Sequence, residues 1–476
     1  MLLRTIGSAG NGGKVFRRMY AASAGTTGSV LEAAAKDGEL RVFLVSGEVS
    51  GDSIGSRLMS SLKALSPLPL RFSGVGGWMM RKEGLECIFP MEDISVMGLW
   101  ELLPHLYKFR VRLKETVEQA LAFRPHAVVT VDSKGFSFRF LKQLRARCYG
   151  KDGVDSPVHF HFVAPSFWAW KGGEARLKGL AGFVDHLFCI LPNEDVVCRS
   201  HGLNATFIGH PVLEDAPELL QGQKSHYELK MKGNAEDFIR KYDLPSGATV
   251  ISVLPGSRLQ EIMRMLPIFR STIEQLKESF PKVVTIIHVA PNQHVDDYIR
   301  GFLHKWPVPN VLVSGGNSRL KYDAFSISQV ALCTSGTVAL ELQLARLPCV
   351  VAYRAHFLTE WFIKYKAKIP YISLPNILLD SAVIPEALFQ ECRPENLASL
   401  LTGLMSSNKL REEQMLGVEK LTELLVPSER VISSFKGWNS SSKVKEWSPS
   451  LIAASTILGP EIVRASIQPS AAPKPK

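Results

Sequence analysis

The stretch TVISVLPGSRLQE, residues 249–261, decides the fold class of this chain. It joins a β-branched run, Thr249–Leu254, to a loop that contains Gly256 and then to the start of a helical pattern. A buried strand that runs through a polar glycine loop into a helix is typical of parallel sheets, whose ligand loops lie at the carboxyl ends of the strands. We therefore predict an α/β protein.

The same alternation of short apolar strands with helices extends through most of the 476 residues and falls into two series. Strands are predicted at Leu40–Ser46, Ala127–Val131, Val158–Val163, Thr249–Leu254, Val283–Ala290, Val311–Ser314, Val330–Cys333 and Cys349–Ala352, and helices at Ser53–Leu65 and Pro267–Ser279. Two such series predict two doubly wound, Rossmann-like domains that face a central cleft. The first would span 32–213 and the second 244–439, with the polar stretch 214–243 as the linker region.

The two ends of the chain differ from this body in composition. Residues 1–31 contain four basic residues, no acid before Glu32 and many small or hydroxyl residues, which is typical of an organellar transit peptide. We predict a mitochondrial protein in the matrix or on the inner-membrane surface; a merely disordered basic N-terminus is the alternative. Residues 440–476 are rich in Ser, Pro, Ala and Lys without sustained periodicity, which predicts a mobile tail.

The formal charge of +11 comes largely from these two ends and leaves a mild basic excess in the body. No region combines clustered Lys and Arg with interleaved aromatic residues, so nucleic acid is not an expected partner. The seven cysteines show no zinc spacing, and no DxD motif supplies ligands for a cation on a diphosphate, so we expect neither a metal nor another cofactor. Motifs of serine hydrolases and P-loop proteins do not occur in the sequence either.

The loop after Leu254 could hold an anion. Gly256 permits close approach of the backbone, and Ser257 could cap the next helix, whose N-terminus offers free N–H groups and a partial positive charge. Arg258 adds a planar guanidinium suited to a diphosphate, and Glu261 follows three residues later. An ordinary strand–turn–helix with a surface arginine is the alternative.

A second loop of this type follows Cys333. Ser335 and Thr337 flank Gly336 at the start of a predicted helix. Glu341 lies one turn further on the same helix face, where a carboxylate could accept both hydroxyls of a ribose. A capped helix with a satisfied glutamate is the alternative. Two anion-binding loops in one domain, with a carboxylate beside one of them, favour a nucleoside diphosphate as the ligand.

Two loops of the first series could contact an acceptor. The sequence GEVSGD follows the first strand directly, and its Glu48, Ser50, Gly51 and Asp52 are candidates for contacts with sugar hydroxyls; Asp52 could instead cap the next helix. Asp132 ends the strand AVVTV, where a carboxylate could take a proton from an attacking hydroxyl. An aspartate in an Asx-turn is the alternative for Asp132.

A basic amphipathic segment lies at 94–116. Its apolar side chains include Met97, Leu99, Trp100 and Leu103, and four basic residues come after them. Segments of this kind can lie on membranes or hold acyl chains, which predicts peripheral membrane association. An ordinary core-facing helix is the alternative. No apolar run in the sequence reaches the ~18 residues that a membrane-spanning helix needs.

Taken together, these loops resemble the lipid-A-disaccharide synthase family over about residues 40–435. The matching stretches are GEVSGD (47–52), GVGG (74–77), EDISVMGLWELL (92–103), Val131-Asp132, PSFWAW (165–170), IGHPV (208–212), LPGSRLQEI (254–262), SGTVALE (335–341), AYR (352–354) and ISLPN (372–376). So many ordered matches are far more specific than any single loop. The resemblance implies a GT-B fold; epimerases of nucleotide sugars share that architecture but would not be expected to share this set of motifs.

The resemblance also implies an inverting hexosyltransferase that joins UDP-2,3-diacylglucosamine to 2,3-diacylglucosamine 1-phosphate and releases UDP. Asp132 would be the base on the acceptor 6-hydroxyl, Arg258 would stabilise the departing UDP, and Met97–Leu103 would face acyl chains or the membrane. The implied UDP contacts are Gly256, Ser257, Arg258, Glu261, Ser335, Gly336, Thr337, Glu341 and, as a weaker candidate, Asn376. A homodimer is a further expectation for this chain.

One stretch departs from the family pattern. After the strand-end aspartate the family usually continues with Ala-Pro-Asp-Phe-Asn, whereas this chain has Ser133-Lys134-Gly135-Phe136-Ser137. A second aspartate and an asparagine are therefore lost, and a lysine stands beside the expected base. Two alternatives stay open: a UDP-sugar- or glycolipid-binding protein with weak turnover, and a GT-B epimerase that acts on a soluble UDP-sugar.

Overall fold

The computed structural model describes residues 30–95, 106–148, 156–215, 234–355, 357–438 and 446–459. The chain divides into two compact units. Unit 1 comprises Met1–Trp168, Gly172–Gly209 and Pro427–Lys476, and unit 2 comprises Ala169–Lys171 and His210–Val426.

Strands and helices alternate through most of both units. The strands are β1 (Leu40–Ser46), β2 (Leu70–Val75), β3 (Glu86–Cys87), β4 (Ala127–Val131), β5 (Val158–Phe162), β6 (His186–Cys189), β7 (Ala205–Phe207), β8 (Thr249–Leu254), β9 (Val283–Val289), β10 (Asn310–Ser314), β11 (Val330–Thr334), β12 (Cys349–Tyr353) and β13 (Glu386–Leu388). The helices are α1 (Val30–Asp37), α2 (Val49–Leu65), α3 (Trp78–Lys82), α4 (Leu106–Phe123), α5 (Lys134–Cys148), α6 (Glu194–Ser200), α7 (Ala235–Tyr242), α8 (Leu259–Ser279), α9 (Gln293–Leu303), α10 (Ser318–Ile327), α11 (Thr337–Leu344), α12 (Phe357–Lys366), α13 (Leu374–Leu379), α14 (Pro394–Ser406), α15 (Asn408–Leu416), α16 (Val418–Leu425), α17 (Glu429–Trp438) and α18 (Pro449–Leu458).

Unit 1 contains a seven-stranded sheet in the order β3-β2-β1-β4-β5-β6-β7, with every pair parallel. The middle strands are buried on both faces: Val42, Phe43, Leu44 and Val45 of β1 are each 0% exposed. Such continuous apolar runs are what a parallel sheet covered by helices requires. The strand order reverses between β1 and β4, so the loops after these two strands lie side by side at the switch point.

Unit 2 contains a six-stranded sheet in the order β10-β9-β8-β11-β12-β13, again parallel throughout. Its switch point lies between β8 and β11, which are the strands that precede the two predicted anion loops. A core cluster beneath this sheet includes Val253 and Ile287 from the strands and Phe269 from α8. The doubly wound topology therefore brings the loops after Leu254 and after Thr334 together.

The predicted strands are confirmed to within one residue at each end. The first predicted helix begins earlier than expected, because α2 starts at Val49 and not at Ser53. Ser50, Gly51 and Asp52 thus belong to the first turns of this helix rather than to a loop. The prediction failed here because GEVSGD contains two glycines, which disfavour a helix by propensity alone.

The second predicted helix also begins earlier, since α8 starts at Leu259 and holds Pro267 in its interior. A proline inside a helix removes one backbone hydrogen bond and costs about 3 kcal/mol in an isolated helix. The flanking Leu266 and Phe269 are each 0% exposed, and their burial offsets that cost. Packing of α8 against the core therefore outweighs the preference of Pro267 for the first turn of a helix, on which the predicted start was based.

The prediction of a mobile tail at 440–476 is wrong for α18, which is buried in unit 1 along nearly its whole length. The Ser448 hydroxyl caps the helix by accepting from the N–H of Leu451 at 3.2 Å, and Ser61 of α2 donates to the Oγ of Ser450 at 2.9 Å. A helix that is buried all round shows no amphipathic period, so the pattern could not reveal it. Residues 439–445 and 460–476 lie outside the described residues.

Other predicted boundaries differ as well. Unit 2 ends at Val426, ahead of the predicted limit at 439. The linker region predicted at 214–243 includes α7, which belongs to unit 2, where Phe238 is 1% exposed within a core cluster. The predicted transit peptide lies outside the described residues apart from Val30 and Leu31, which begin α1.

Candidate active site

Asp132 stands at the carboxyl end of β4, where the strand order of unit 1 reverses. Asp132 and Ser133 both have positive φ, 45° and 43°, a left-handed conformation that aspartate tolerates better than most residues. Ser137 holds the turn by donating from Oγ to the carbonyl of Asp132 at 2.7 Å. The carboxylate side chain is 30% exposed, so a substrate hydroxyl can reach it.

The lysine of the divergent turn lies beside this carboxylate. The Nζ of Lys134 is 3.9 Å from Oδ1 of Asp132 and donates to Oγ of Ser166 at 3.3 Å. Both charged side chains are about one-third exposed, so the ion pair orients them at a small energetic gain. Ser166 comes from the PSFWAW stretch, which thereby joins the switch point.

The GEVSGD stretch meets the Asp132 turn at Gly47. A Cβ on Gly47 would lie 2.5 Å from Oγ of Ser133, so any other residue here would require the Ser133 side chain to shift. Glu48 is the N-cap residue of α2 and its side chain makes no cap, and Ser50 is exposed in the first turn. Gly51 is buried against β1, where a Cβ would lie 2.4 Å from Oγ of Ser46.

Asp52, predicted to contact the acceptor or to cap α2, has a different role. Its carboxylate accepts from the N–H groups of Gly77 at 2.8 Å, Met79 at 2.9 Å and Met80 at 3.1 Å. It therefore binds the N-terminus of α3, and at 3% exposure it does not present itself to a ligand. Burial raises the pKa of Asp52, although the three N–H donors act in the opposite direction. The structure therefore does not support Asp52 as an acceptor contact.

Glu194 is a buried acid that the sequence analysis missed. It is 2% exposed, accepts from the indole Nε1 of Trp168 at 2.9 Å and from the N–H of Leu191 at 3.2 Å. Burial raises the pKa of Glu194 from 4.5 to about 7, although these two donors and the positive charge of Lys134 act to lower it. Glu194 thus fixes the PSFWAW stretch beside the lysine of the site.

In unit 2 the first anion loop passes from β8 into α8. Gly256 has a φ of 120°, and a Cβ there would lie 2.3 Å from Oε2 of Glu261, so the loop requires glycine. Glu261 accepts from the N–H of Ser257 at 3.2 Å. Burial raises the pKa of Glu261, opposed by the charge of Arg258 and by donation from Thr334. Glu261 therefore ties this loop to the end of β11.

These contacts correct one prediction for the loop. The N-cap residue of α8 is Arg258, whose side chain makes no cap, so Ser257 does not stand at the expected capping position. The carboxylate of Glu261, a predicted UDP contact, accepts a hydrogen bond from the loop backbone at Ser257. Arg258 stands at the helix start with extended backbone, at φ −112° and ψ 138°.

The second anion loop follows β11. Gly336 has a φ of 148° and is the N-cap residue of α11, while Thr337 begins the helix and is exposed. Ser335 donates from Oγ to the carbonyl of Ile372 at 3.2 Å. Glu341, the predicted ribose ligand, is 17% exposed and forms an ion pair of 2.7 Å with Lys321, a residue that the sequence analysis did not select.

The ISLPN stretch is held by a carboxylate. Glu386 accepts from the N–H groups of Ile372 and Ser373, both at 3.0 Å, and from the Ser373 hydroxyl at 2.7 Å. Asn376 donates to Glu386 and to the carbonyl of Ile384, and accepts from the N–H of Ile384, all at 2.8 Å. Asn376 is 0% exposed and its side-chain amide makes these three bonds within the loop, so in this structure it supports the loop.

The lipid-facing candidates come from the predicted segment 94–116. Met97, Leu99, Trp100 and Leu103 lie outside the described residues. In the part of the chain that the structure describes, no helix is long and apolar enough to cross a membrane. Over the same residues, His, Cys, Asp and Glu side chains form no group of three or more that could hold a metal ion.

A sequence model of the family described as lipid-A-disaccharide synthetase matches residues 42–434. The chain belongs to the lipid-A-disaccharide synthase family. A protein of Arabidopsis thaliana named "Probable lipid-A-disaccharide synthase, mitochondrial" is 65% identical over 432 residues, covering 90% of this chain and 93% of that protein. The lipid-A-disaccharide synthase of Rhodospirillum centenum is 39% identical over 386 residues, covering 81% and 90%. The predicted family and the enzyme class, a glycosyltransferase, are confirmed.

A solved structure supports the fold. The UDP-GlcNAc 2-epimerase from Neisseria meningitidis, bound to UDP-GlcNAc, is similar with a TM-score of 0.50 and 11% sequence identity, covering 80% of this chain and 97% of that chain. At such low identity the likeness concerns the fold alone. Together with the two parallel sheets it confirms the predicted α/β fold of the GT-B type with two Rossmann-like domains.

Sequence patterns identify polar residues at strand ends, but they do not identify the residues of other elements that hold the site together. Asp132, Arg258 and the two glycine loops were selected because they follow strands directly. Lys321, which pairs with Glu341, and Glu386, which holds the ISLPN stretch, come from separate elements and have no motif of their own. Lys134 departs from the family pattern, and in the structure it forms an ion pair with the Asp132 carboxylate.

Proposed function

We propose that the chain joins two acylated glucosamine units. The 6-hydroxyl of 2,3-diacylglucosamine 1-phosphate attacks C1 of the sugar in UDP-2,3-diacylglucosamine. The new C1–O bond forms as the bond between C1 and the diphosphate oxygen breaks, so UDP leaves with the electron pair and the anomeric configuration inverts. The hydroxyl proton passes to Asp132, and the product is a β-1,6-linked disaccharide 1-phosphate.

One structural observation supports the proposal that unit 2 binds the UDP-sugar donor. Two glycine-containing loops end at helix N-termini on the same switch point of unit 2, and Glu261 ties them together through Ser257 and Thr334. The helix N-termini offer N–H groups and partial positive charge to a diphosphate. Arg258, at the start of α8, would stabilise the charge that develops on departing UDP.

The remaining donor contacts follow from the second loop. The backbone N–H groups of Gly336 and Thr337 would bind a phosphate, and Ser335 would help to position them through Ile372. Glu341 would accept a ribose hydroxyl while Lys321 holds its carboxylate. A single hydrogen-bond donor to the developing charge, in a site with little water, lowers the activation free energy by on the order of 3 kcal/mol.

On the acceptor side, Asp132 is the proposed general base. Its exposed carboxylate and its position at the switch point of unit 1 support this role. Lys134 would keep the carboxylate oriented through its contacts with Asp132 and Ser166. Glu48 and Ser50 stay as proposed contacts to sugar hydroxyls, and Met97, Leu99, Trp100 and Leu103 as proposed contacts to acyl chains.

The test is a product assay with matched variants. The protein is incubated with both acylated substrates in the presence of a chelator, and the disaccharide is followed by mass spectrometry. Asp132→Asn and Arg258→Lys should each lower kcat by about 100-fold or more, because each removes a group that acts in the transition state. Asp380→Asn is the control for Asp132, since Asp380 also has positive φ but lies at the end of α13.

The outcomes separate the roles. Arg270→Lys, on α8 away from the loop, should leave kcat unchanged and controls for Arg258. Product formation that persists in chelator would confirm the transferase and its independence of metal. Full activity of both Asp132→Asn and Arg258→Lys would refute the assignment of roles, although it would leave the reaction itself standing.

The ion pair of Lys134 with Asp132 favours one alternative, a protein that binds UDP-sugar or glycolipid and turns over slowly. A lysine paired with the base competes with the incoming hydroxyl for the carboxylate. In that case Lys134→Ala should raise turnover, whereas a positioning role predicts a lower kcat for Lys134→Ala. Saturable UDP-sugar binding without any disaccharide would support the alternative.

We further propose that residues 1–31 direct the chain to mitochondria and that the segment 94–116 associates peripherally with a membrane. The basic, acid-free composition of the leader supports the first point, as does the mitochondrial name of the Arabidopsis relative. Import into isolated mitochondria should be lost after Arg17→Glu and Arg18→Glu. Light scattering of the purified protein would test the proposed homodimer.

A further inference from the structure

The helix α12 exposes two large aromatic side chains on one face. Trp361 is 67% exposed and Tyr365 is 61% exposed, although both have large apolar surfaces. The two residues lie one helical turn apart, and their rings are stacked with centroids 6.0 Å apart and an interplanar angle of 4°. A preformed aromatic pair of this size on the surface indicates a contact with a partner.

Exposed lysines surround this pair. Lys364 and Lys366 come from the same helix and Lys368 follows it, and all three are exposed. Between residues 357 and 371 the only acid in the sequence is Glu360, which accepts from the N–H of Ala355 at 3.2 Å. We call Trp361, Lys364, Tyr365, Lys366 and Lys368 the α12 patch. Its formal charge is +3.

A second segment of unit 2 holds the C-terminal end of the helix. Lys171 donates from Nζ to the carbonyl of Tyr365 at 3.0 Å and from its backbone N–H to the carbonyl of Lys366 at 3.0 Å. Lys368 donates from its N–H to the carbonyl of Ala169 at 2.9 Å. The Nζ of Lys171 also lies 5.8 Å from the centre of the Tyr365 ring. The aromatic pair therefore stands on a fixed backbone with a fourth lysine beside it.

We propose that the α12 patch docks on the surface of an anionic phospholipid bilayer. Tryptophan and tyrosine have an apolar ring with a polar group, which suits the boundary between headgroups and acyl chains. The lysines match the negative charge of such a surface, and their stems follow the aromatic pair into the headgroup region. The contact lies in unit 2, so it adds to the association proposed for the segment 94–116 in unit 1 and does not depend on it.

The chemistry of the patch favours a bilayer over a soluble anion or a purely apolar protein groove. A soluble anion would bind the lysines without burying the aromatic rings. An apolar protein groove would bury the rings but leave three lysines without counter-charges. A bilayer with anionic headgroups satisfies both at once, because apolar and charged groups lie within a few ångströms of each other at its surface.

The experiment is cosedimentation of the full chain with vesicles of phosphatidylcholine, with or without phosphatidylglycerol. Lys364→Gln, Lys366→Gln and Lys368→Gln together should weaken binding to the anionic vesicles by roughly 100-fold, at about fivefold per lysine. Trp361→Ala with Tyr365→Ala should weaken it about tenfold or more. Binding of the unchanged protein should also fall as salt rises, because exposed charges are screened.

A matched control comes from unit 1. Trp78 is 56% exposed and the Nζ of Lys82 lies 5.4 Å from the centre of its ring, so the pair Trp78→Ala and Lys82→Gln removes an exposed aromatic–lysine pair elsewhere. These control changes should leave vesicle binding unaltered. The basic residues 1–31 are present in every variant, so their contribution cancels in the comparison.

Two further measurements keep the test decisive. A blue shift of tryptophan fluorescence on anionic vesicles should occur in the unchanged protein and shrink in Trp361→Phe. Disaccharide formation with detergent-dispersed substrates should be unchanged in every patch variant, which shows that they are folded and separates this proposal from the proposed reaction. Vesicle binding that survives the lysine and aromatic changes would overturn the proposal, as would a change in oligomeric mass without a change in vesicle binding.

Discussion

Replacing Asp52 tests whether this carboxylate builds unit 1 or contacts the acceptor. In Asp52→Ala the N–H groups of Gly77, Met79 and Met80 lose their acceptor, and two of these three bonds are buried. In Asp52→Asn the amide oxygen can still accept from the two donors that share Oδ1, whereas the NH₂ group faces the N–H of Met79. The two variants therefore differ in the number of donors that they leave unsatisfied.

The magnitude follows from this difference. A buried donor without a partner costs about 1–3 kcal/mol, so three donors could cost about 3–6 kcal/mol after partial relaxation. The buried charge itself is unfavourable, since burial raises the pKa of Asp52, and its removal returns part of that cost. We expect a loss of about 3 kcal/mol for Asp52→Ala and about 1 kcal/mol for Asp52→Asn.

Urea unfolding followed by circular dichroism measures the loss, and the KM for the acceptor is measured on the protein that stays folded. Asp52→Ala should unfold at a clearly lower urea concentration and keep the acceptor KM of the unchanged enzyme. Ser50→Ala, at an exposed position of the same helix, is the control and should not change the unfolding midpoint. Unchanged unfolding together with a raised acceptor KM in Asp52→Ala would refute the reasoning, because the carboxylate would then contact the acceptor.

Three further predictions concern other contacts of the site. Gly256→Ala should raise the KM for the UDP-sugar about tenfold, since a Cβ would lie 2.3 Å from Glu261 in a residue with φ of 120°; an unchanged KM would show that the loop does not bind the donor. Burial raises the pKa of Glu194 in the folded protein from 4.5 to about 7, so the folded state holds this proton more tightly than the unfolded chain does. The resulting contribution to the unfolding free energy is complete below pH 4.5 and is lost as the pH rises to about 7, by up to about 3 kcal/mol. Glu194→Gln should lack this loss, so the gap in unfolding free energy between variant and unchanged protein should shift in favour of the variant from pH 5 to pH 8; a constant gap would contradict the pKa. Glu386→Gln should destabilise the protein by about 1–3 kcal/mol and raise the KM for the UDP-sugar, whereas the exposed Glu391→Gln should do neither; equal effects would refute the role of the ISLPN stretch.

The positions of the reactive loops could be predicted because they depend on local patterns. A β-branched run that ends in a glycine loop identifies a strand end, and parallel sheets place ligands at such ends. Asp132 and Arg258 were found in this way. The doubly wound strand orders then confirmed that the loops of each series lie at a switch point.

The partners of these loops could not be predicted, because burial depends on contacts between distant parts of the chain. Asp52 was expected at a ligand and Asn376 near UDP, yet both are buried and bonded to backbone that packs against them. The same holds for Glu194, whose raised pKa comes from its surroundings and not from its neighbours in sequence. A polar residue next to a glycine has the same local pattern in either role.

The sequence by itself determined the family, the two α/β series and the strand ends that carry Asp132, Arg258 and the glycine loops, since these are encoded in short-range patterns of apolar, glycine and charged residues. Only the tertiary structure decided which polar residues are exposed and which are structural. It also showed that α18 packs in unit 1, where Ser61 donates a hydrogen bond to Ser450, 389 positions away in the sequence. The physical reason is that desolvation and hydrogen bonding depend on what packs around a side chain, and that environment is assembled only when the chain folds.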